Sequence, residues 1–161
     1  MELKEIDVSF QLGPVPVSIS ELHCEGIRRS KNADCFGYVP SNTCLLFSIL
    51  KMLEPGTFCE WGSGIGIGVA VAESLRFSAT GIELDEKLSA ESRLFLSERG
   101  FQSKVITGSY FEIQCEADTY LTYCWPSQMR EMEEHFLTNT PDDARLIYAY
   151  GADDLRCVIK A

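Results

Sequence analysis

The sequence predicts an α/β protein: a doubly wound, three-layer fold on a mostly parallel sheet with an antiparallel edge strand. Three observations lead there. From residue 41 onward, short apolar runs alternate with helical patterns, the order that builds a parallel sheet covered on both faces. The last two runs, ARLIYAY (144–150) and LRCVI (155–159), lie too close together for a crossover helix, so the final strand should turn back beside its predecessor. Between the first strand and its helix stands TFCEWGSGIGIG (57–68), whose glycines allow a sharp turn and a close approach of the main chain to a ligand.

The elements follow in order. Residues 4–19 carry two alternating runs, EIDVSF and VPVSI, around Gly13-Pro14, and read as a small hairpin or arm at a sheet edge because Pro16 limits pairing. Residues 21–40 read as irregular. Residues 1–40 are thus expected to form an arm packed on a domain spanning 41–161. Ser41 after Pro40 looks like an N-cap, opening a helix whose apolar side is Leu45, Leu46, Ile49, Leu50 and Leu53. Strands are expected at FCEW (58–61), ATGIEL (79–84), KVITG (104–108) and TYLTYCW (119–125), with helices over about 66–76, 85–99 and 127–138. Only 11 residues follow Tyr150, which points to a six-stranded sheet shortened at the C-terminus.

Composition narrows the classes. At 161 residues, 45% hydrophobic and 24% charged, the chain suits one globular domain. The net charge of −10 disfavours a nucleic-acid partner, whose affinity comes largely from neutralised phosphates. No apolar stretch is long enough to span a membrane and the N-terminus lacks a signal-peptide pattern, so a cytoplasmic location is the expectation. Seven cysteines at irregular spacing, with no C-x-x-C pair, fit buried thiols better than disulfides or a metal site. His23 and His135 lack partners at metal-ligand spacing, and His135 is expected to be solvated among helix acids.

The chemistry concentrates around the glycine turn. In an open α/β sheet, ligands bind beyond the carboxyl ends of the strands at the switch point. Glu83, 23 positions after Glu60, stands near the end of the next strand, where a carboxylate can accept hydrogen bonds from both ribose hydroxyls. The dinucleotide fingerprint fails, because the position of its third glycine is held by Ile67 or Val69; the P-loop fails for want of Lys-Ser or Lys-Thr. Glu60 would repel a phosphate but suits an ammonium group. Ribose plus an amino-acid ammonium, without phosphate, describes S-adenosylmethionine.

The pattern E-x-G-S-G-x-G after a strand, followed by GIELD at the next, resembles the class I S-adenosylmethionine-dependent methyltransferases, over roughly Tyr38 to Tyr150. The resemblance implies a Rossmann-like methyltransferase fold in which Glu60, Gly62, Ser63, Gly64 and Gly66 line the methionine end, Glu83 binds ribose and Leu84 packs on adenine. FGYVPS before the first helix, with GSGxG followed by GIELD, is similar to the small protein-lysine methyltransferases outside the SET class, and Tyr38 by its position can close over the methionine moiety. The family often places Gly-Asp after strand three; here Ser109 and Tyr110 follow Gly108 and are expected to contact adenine instead. After strand four the chain has Tyr123-Cys124-Trp125-Pro126, which lacks the amide or carboxylate that orients a base amine. Tyr123 is the residue expected to orient the methyl acceptor, a protein side chain or small molecule, with Cys124 and Trp125 beside it. A noncatalytic S-adenosylmethionine-binding domain and a nicotinamide-dependent reductase are the alternatives.

Overall fold

The computed structural model describes residues 2–8, 12–33, 38–149, 151 and 153–161. Strand β1 is Leu3–Ile6, β2 Thr57–Trp61, β3 Ser78–Glu83, β4 Lys104–Thr107, β5 Thr119–Tyr123, β6 Arg145–Ala149 and β7 Leu155–Lys160. The helices are α1 Val17–Asn32, α2 Thr43–Leu50, α3 Ile67–Ser74, α4 Glu86–Glu98 and α5 Met129–Asn139, the last preceded by a single 3-10 turn at Pro126–Gln128. The seven strands lie in the order β1-β7-β6-β5-β2-β3-β4. β4, β3, β2, β5 and β6 run parallel, while β7 is antiparallel to both β6 and β1. The predicted fold class therefore holds.

The N-terminal expectation holds for the edge position of the first run and fails for the hairpin. Residues 3–6 form the outermost strand, pairing Leu3 with Lys160 and Ile6 with Cys157, so the described residues build seven strands, not six, and the one at this edge comes from the N-terminal segment. The second run, VPVSI, is no hairpin partner: Pro16 caps a 16-residue helix that takes in the stretch read as irregular as far as Asn32. Its buried residues Ile19, Leu22, Gly26 and Arg29 follow a 3-4-3 spacing, the stripe of an amphipathic helix. A proline just outside a helix start leaves the helix intact, because the first N–H groups have no partner in any case. Residues 1–40 thus contribute an edge strand and a core helix. Asn42, not Ser41, caps α2, its side chain accepting from the Leu45 amide at 3.1 Å. The expected end of the strand at Tyr150, and Cys35 of the seven cysteines, lie outside the described residues.

Strand alternation sorts the side chains into two layers. Phe58, Ala79, Leu121 and Ile147 face α1–α4, where Leu46, Leu50, Val71 and Phe95 complete one core. Cys59, Trp61, Tyr120 and Leu146 face α5, whose Met132 and Phe136 are fully buried. Arg29, only 8% exposed, ties α1 to α4 by bonding Glu25 on its own helix and both Glu91 and Glu98 on α4. No helix among the described residues is long and apolar enough to cross a membrane.

A candidate cofactor cleft at the switch point

Chain order reverses between β2 and β5, so the carboxyl ends of these two strands border the crevice where an open sheet takes its ligand. Trp61 and Tyr123 end them. The glycine turn leaves β2 here, and its main chain is fastened to β3: the amides of Gly62 and Ser63 donate to the Ile82 carbonyl at 2.8 and 2.9 Å. Gly62, Gly64 and Gly66 all have positive φ (72°, 54° and 85°), so the turn needs glycine at those positions.

Both predicted acids are buried at the turn, and in different ways. Glu60 points to the α1–α4 side, where its Oε2 accepts from the Val69 amide in the first turn of α3 at 3.0 Å. A Cβ on Gly68 would lie 2.6 Å from the carboxylate oxygens, so the helix can approach the acid only because residue 68 is glycine. Burial pushes the Glu60 carboxyl up to about 8; the Val69 amide pulls it down and the charge of Glu83 pushes it further up. Glu83 is engaged at both oxygens, Oε2 accepting from the Gly64 amide at 2.6 Å and Oε1 from the Asp85 amide at 2.8 Å. It therefore stiffens the turn, and each oxygen retains a second lone pair.

Tyr38 covers the turn. Its Cε2 lies 2.1 Å from where a Cβ on Gly64 would be, so the ring rests on the glycine backbone. Burial raises its phenol well above the ordinary range, with the charges of Glu60 and Glu83 adding to the effect and a hydrogen bond from the Ile65 amide opposing it. The cavity beneath is lined by Tyr38, Glu60, Gly62, Ser63 and Tyr123, and measures about 20 Å³, room for about one water. Pro40, Ser41, Thr43 and Ile67 also line it. Sequence reasoning named none of these four as a site residue, although the quoted FGYVPS segment contains the first two. Ser63 is buried, and its hydroxyl has no hydrogen-bond partner among the described residues.

The remaining predicted residues spread around the crevice. Leu84 is 70% exposed at the end of β3, available as an apolar platform. Ser109 accepts from the Phe111 amide at 3.2 Å, which shapes the loop after β4. The Tyr110 ring stacks on Trp61 at 5.0 Å and 6°, and burial pushes its phenol up to about 12. Trp125 is 48% exposed and meets the edge of Tyr123 at 5.5 Å, forming an aromatic rim beyond β5. The Cys124 thiol is buried and donates to the Trp125 carbonyl at 3.4 Å. His135 departs from expectation. It packs edge-on against Trp61 at 5.1 Å and Phe111 at 5.1 Å, and burial lowers its pKa. Cys44, expected to be buried, is exposed on α2.

No family model matches the chain, and no curated protein matches it in sequence. Solved structures do. Cofactor-bound Rv0187 from MTB superposes with a TM-score of 0.66 at 12% identity, over 83% of this chain and 71% of that one. The fold is that of the methyltransferases. SAH-bound methyltransferase PaMTH1 of Podospora anserina gives 0.64 at 13% identity, over 83% and 62%. The ribosomal protein L11 methylase of Lactobacillus delbrueckii subsp. bulgaricus gives 0.56 at 13%, over 84% and 61%. The chain spans 46% of the PH0226 protein from Pyrococcus horikoshii OT3 and 34% of Trm5b from Pyrococcus abyssi, so it matches part of those longer proteins. Identities this low establish a common fold.

Proposed function

We propose that this chain is an S-adenosylmethionine-dependent methyltransferase whose cofactor binds over the glycine turn. The observation that carries the reading is the pair of buried acids at the switch point, Glu60 against the start of α3 and Glu83 against Gly64. The donor set fits a phosphate-free adenosyl amino acid. A protonated Glu60 is an uncharged neighbour that an incoming ammonium can ionise, and the unpartnered Ser63 hydroxyl offers a donor nearby. Leu84 supplies an exposed apolar surface for the adenine and the free lone pairs of Glu83 accept from ribose.

Bound there, S-adenosylmethionine would supply an electrophilic sulfonium methyl group, activated by its own positive charge. The protein then contributes positioning and exclusion of water. Tyr123, at the end of β5, lines the cleft in which the methyl group would be presented, and Cys124 and Trp125 follow it along the rim. Tyr38 is part of the same site: an adenosyl ligand needs a pocket of some hundreds of Å³, so the ring must swing off Gly64 as the cofactor enters. The finer kinship with protein-lysine methyltransferases rests on FGYVPS and on GSGxG followed by GIELD.

Calorimetric titration with S-adenosylhomocysteine (SAH) tests the reading. Saturable binding to the wild-type chain is expected, weakened about tenfold or more by Glu83→Gln, which keeps one acceptor for the turn but loses the charge. Unaltered affinity in Glu83→Gln would sink the ribose assignment, and stabilisation by NADH in place of SAH would favour a reductase.

A further inference from the structure

A second cavity, of about 290 Å³, lies between α1 and the start of α2 and shares Pro40, Ser41 and Thr43 with the cofactor cleft. Its walls are largely apolar, with Val15, Ile19 and Pro40 among them, and no Asp, Glu, Lys or Arg lines it among the described residues. One group on its surface can take up a proton. His23, half-buried on α1, has its Nδ1 2.7 Å from the Thr43 hydroxyl; in the tautomer whose Nδ1–H donates to that oxygen, Nε2 is an acceptor, and it has no partner among the described residues. A ring fixed at one nitrogen presents the other in a defined direction.

We infer that this cavity is the methyl-acceptor subsite, built for a compact, uncharged, mainly apolar molecule with one acidic hydroxyl, and that Nε2 of His23 receives that hydroxyl's hydrogen bond. The inference rests on the methyltransferase reading. The charge inventory of the described residues selects the class: their side of the wall has no carboxylate to hold an ammonium and no lysine or arginine to hold a carboxylate or phosphate. A volume of 290 Å³ suits a one- or two-ring compound and is too small for a folded partner. The shared wall places its occupant next to the proposed cofactor. In the reaction the hydroxyl proton passes to His23 Nε2, an oxygen lone pair forms the new O–CH3 bond, and the electron pair of the breaking S–CH3 bond returns to sulfur, giving the methyl ether and SAH.

The test uses 2-naphthol, whose fluorescence reports binding, with naphthalene as the same body lacking the hydroxyl. Wild-type protein is expected to bind 2-naphthol about tenfold more tightly than naphthalene, the worth of one good hydrogen bond. His23→Ala should erase that preference while keeping the affinity for naphthalene. Ser20→Trp, at an exposed lining position on α1, should weaken both about tenfold or more and leave SAH binding unchanged, which also verifies the fold. Incubation with labelled S-adenosylmethionine should yield 2-methoxynaphthalene. Equal affinity for the two compounds in the wild type, or indifference to Ser20→Trp, overturns the subsite. SAH binding without methoxynaphthalene overturns the acceptor role alone, whereas a wild-type protein that does not bind SAH overturns the methyltransferase reading and the acceptor role with it.

Discussion

Replacing Glu60 by glutamine isolates the electrostatics of the turn. The carboxyl is fully buried and its pKa is raised from 4.5 to about 8, so the folded protein holds a proton that the unfolded chain releases. Over that window the native state binds more protons than the unfolded state, so stability is greatest below about pH 4.5 and is lost as pH rises toward 8. One proton corresponds to about 1.4 kcal/mol per pH unit, and between pH 5 and 8 the loss amounts to about 3 kcal/mol. Glutamine keeps the acceptor for the Val69 amide and carries no charge. Glu60→Gln should therefore match the wild type near pH 5 and exceed it by about 3 kcal/mol near pH 8. Urea denaturation from pH 5 to pH 8 measures the difference. Parallel stability profiles would show that Glu60 is ionised in the folded protein and would refute the argument. The same substitution bears on function. An ammonium ligand should discharge a proton from Glu60 on binding near pH 7, seen as a buffer-dependent enthalpy in calorimetry, and that dependence should vanish in Glu60→Gln.

Other consequences are as direct. Tyr38→Ala removes the ring resting on Gly64 and should speed SAH association several-fold in stopped-flow measurements; an unchanged rate would mean that the ring is no obstacle. Arg29→Ala leaves the α4 acids facing α1 and should cost about 2–3 kcal/mol by urea denaturation, with Glu91, at 28% side-chain exposure, contributing more than the half-exposed Glu98; a loss below about 0.5 kcal/mol would make the network ornamental. Cys59 hydrogen-bonds Cys115, which lowers the Cys115 thiol below the ordinary range, while the same contact and burial raise Cys59. Alkylation of Cys115, followed by peptide mass spectrometry, should therefore shift to higher pH in Cys59→Ala, and an unmoved profile would remove the contact from the explanation.

Much of the central sheet was legible because its signals are local. FCEW and ATGIEL are short apolar runs bounded by glycine and acid, and the loop between them contains a helix pattern; nothing distant is needed to read β2, α3 and β3. α1 was misread because Gly13, Pro14 and Pro16 look like turn and edge signals, and the stripe Ile19, Leu22, Gly26, Arg29 includes an arginine that only its acids on α4 render buriable. β1 was read as an arm because its partner is β7, at the far end of the chain. His135 was expected in solvent because its helix neighbours are acids, yet the ring turns toward Trp61 on β2.

What the sequence alone determined is the α/β class, the glycine turn and the two acids that frame it, since backbone freedom and strand alternation are properties of adjacent residues. The tertiary structure decided what those acids do. Glu60 becomes a protonatable group only because α3 closes over it, and Glu83 becomes a clamp because β3 carries it against Gly64. It also set Tyr38 on the turn and opened the cavity at His23, where α1 meets α2. Burial and long-range contact create those features, and neither is written in the spacing of neighbouring residues.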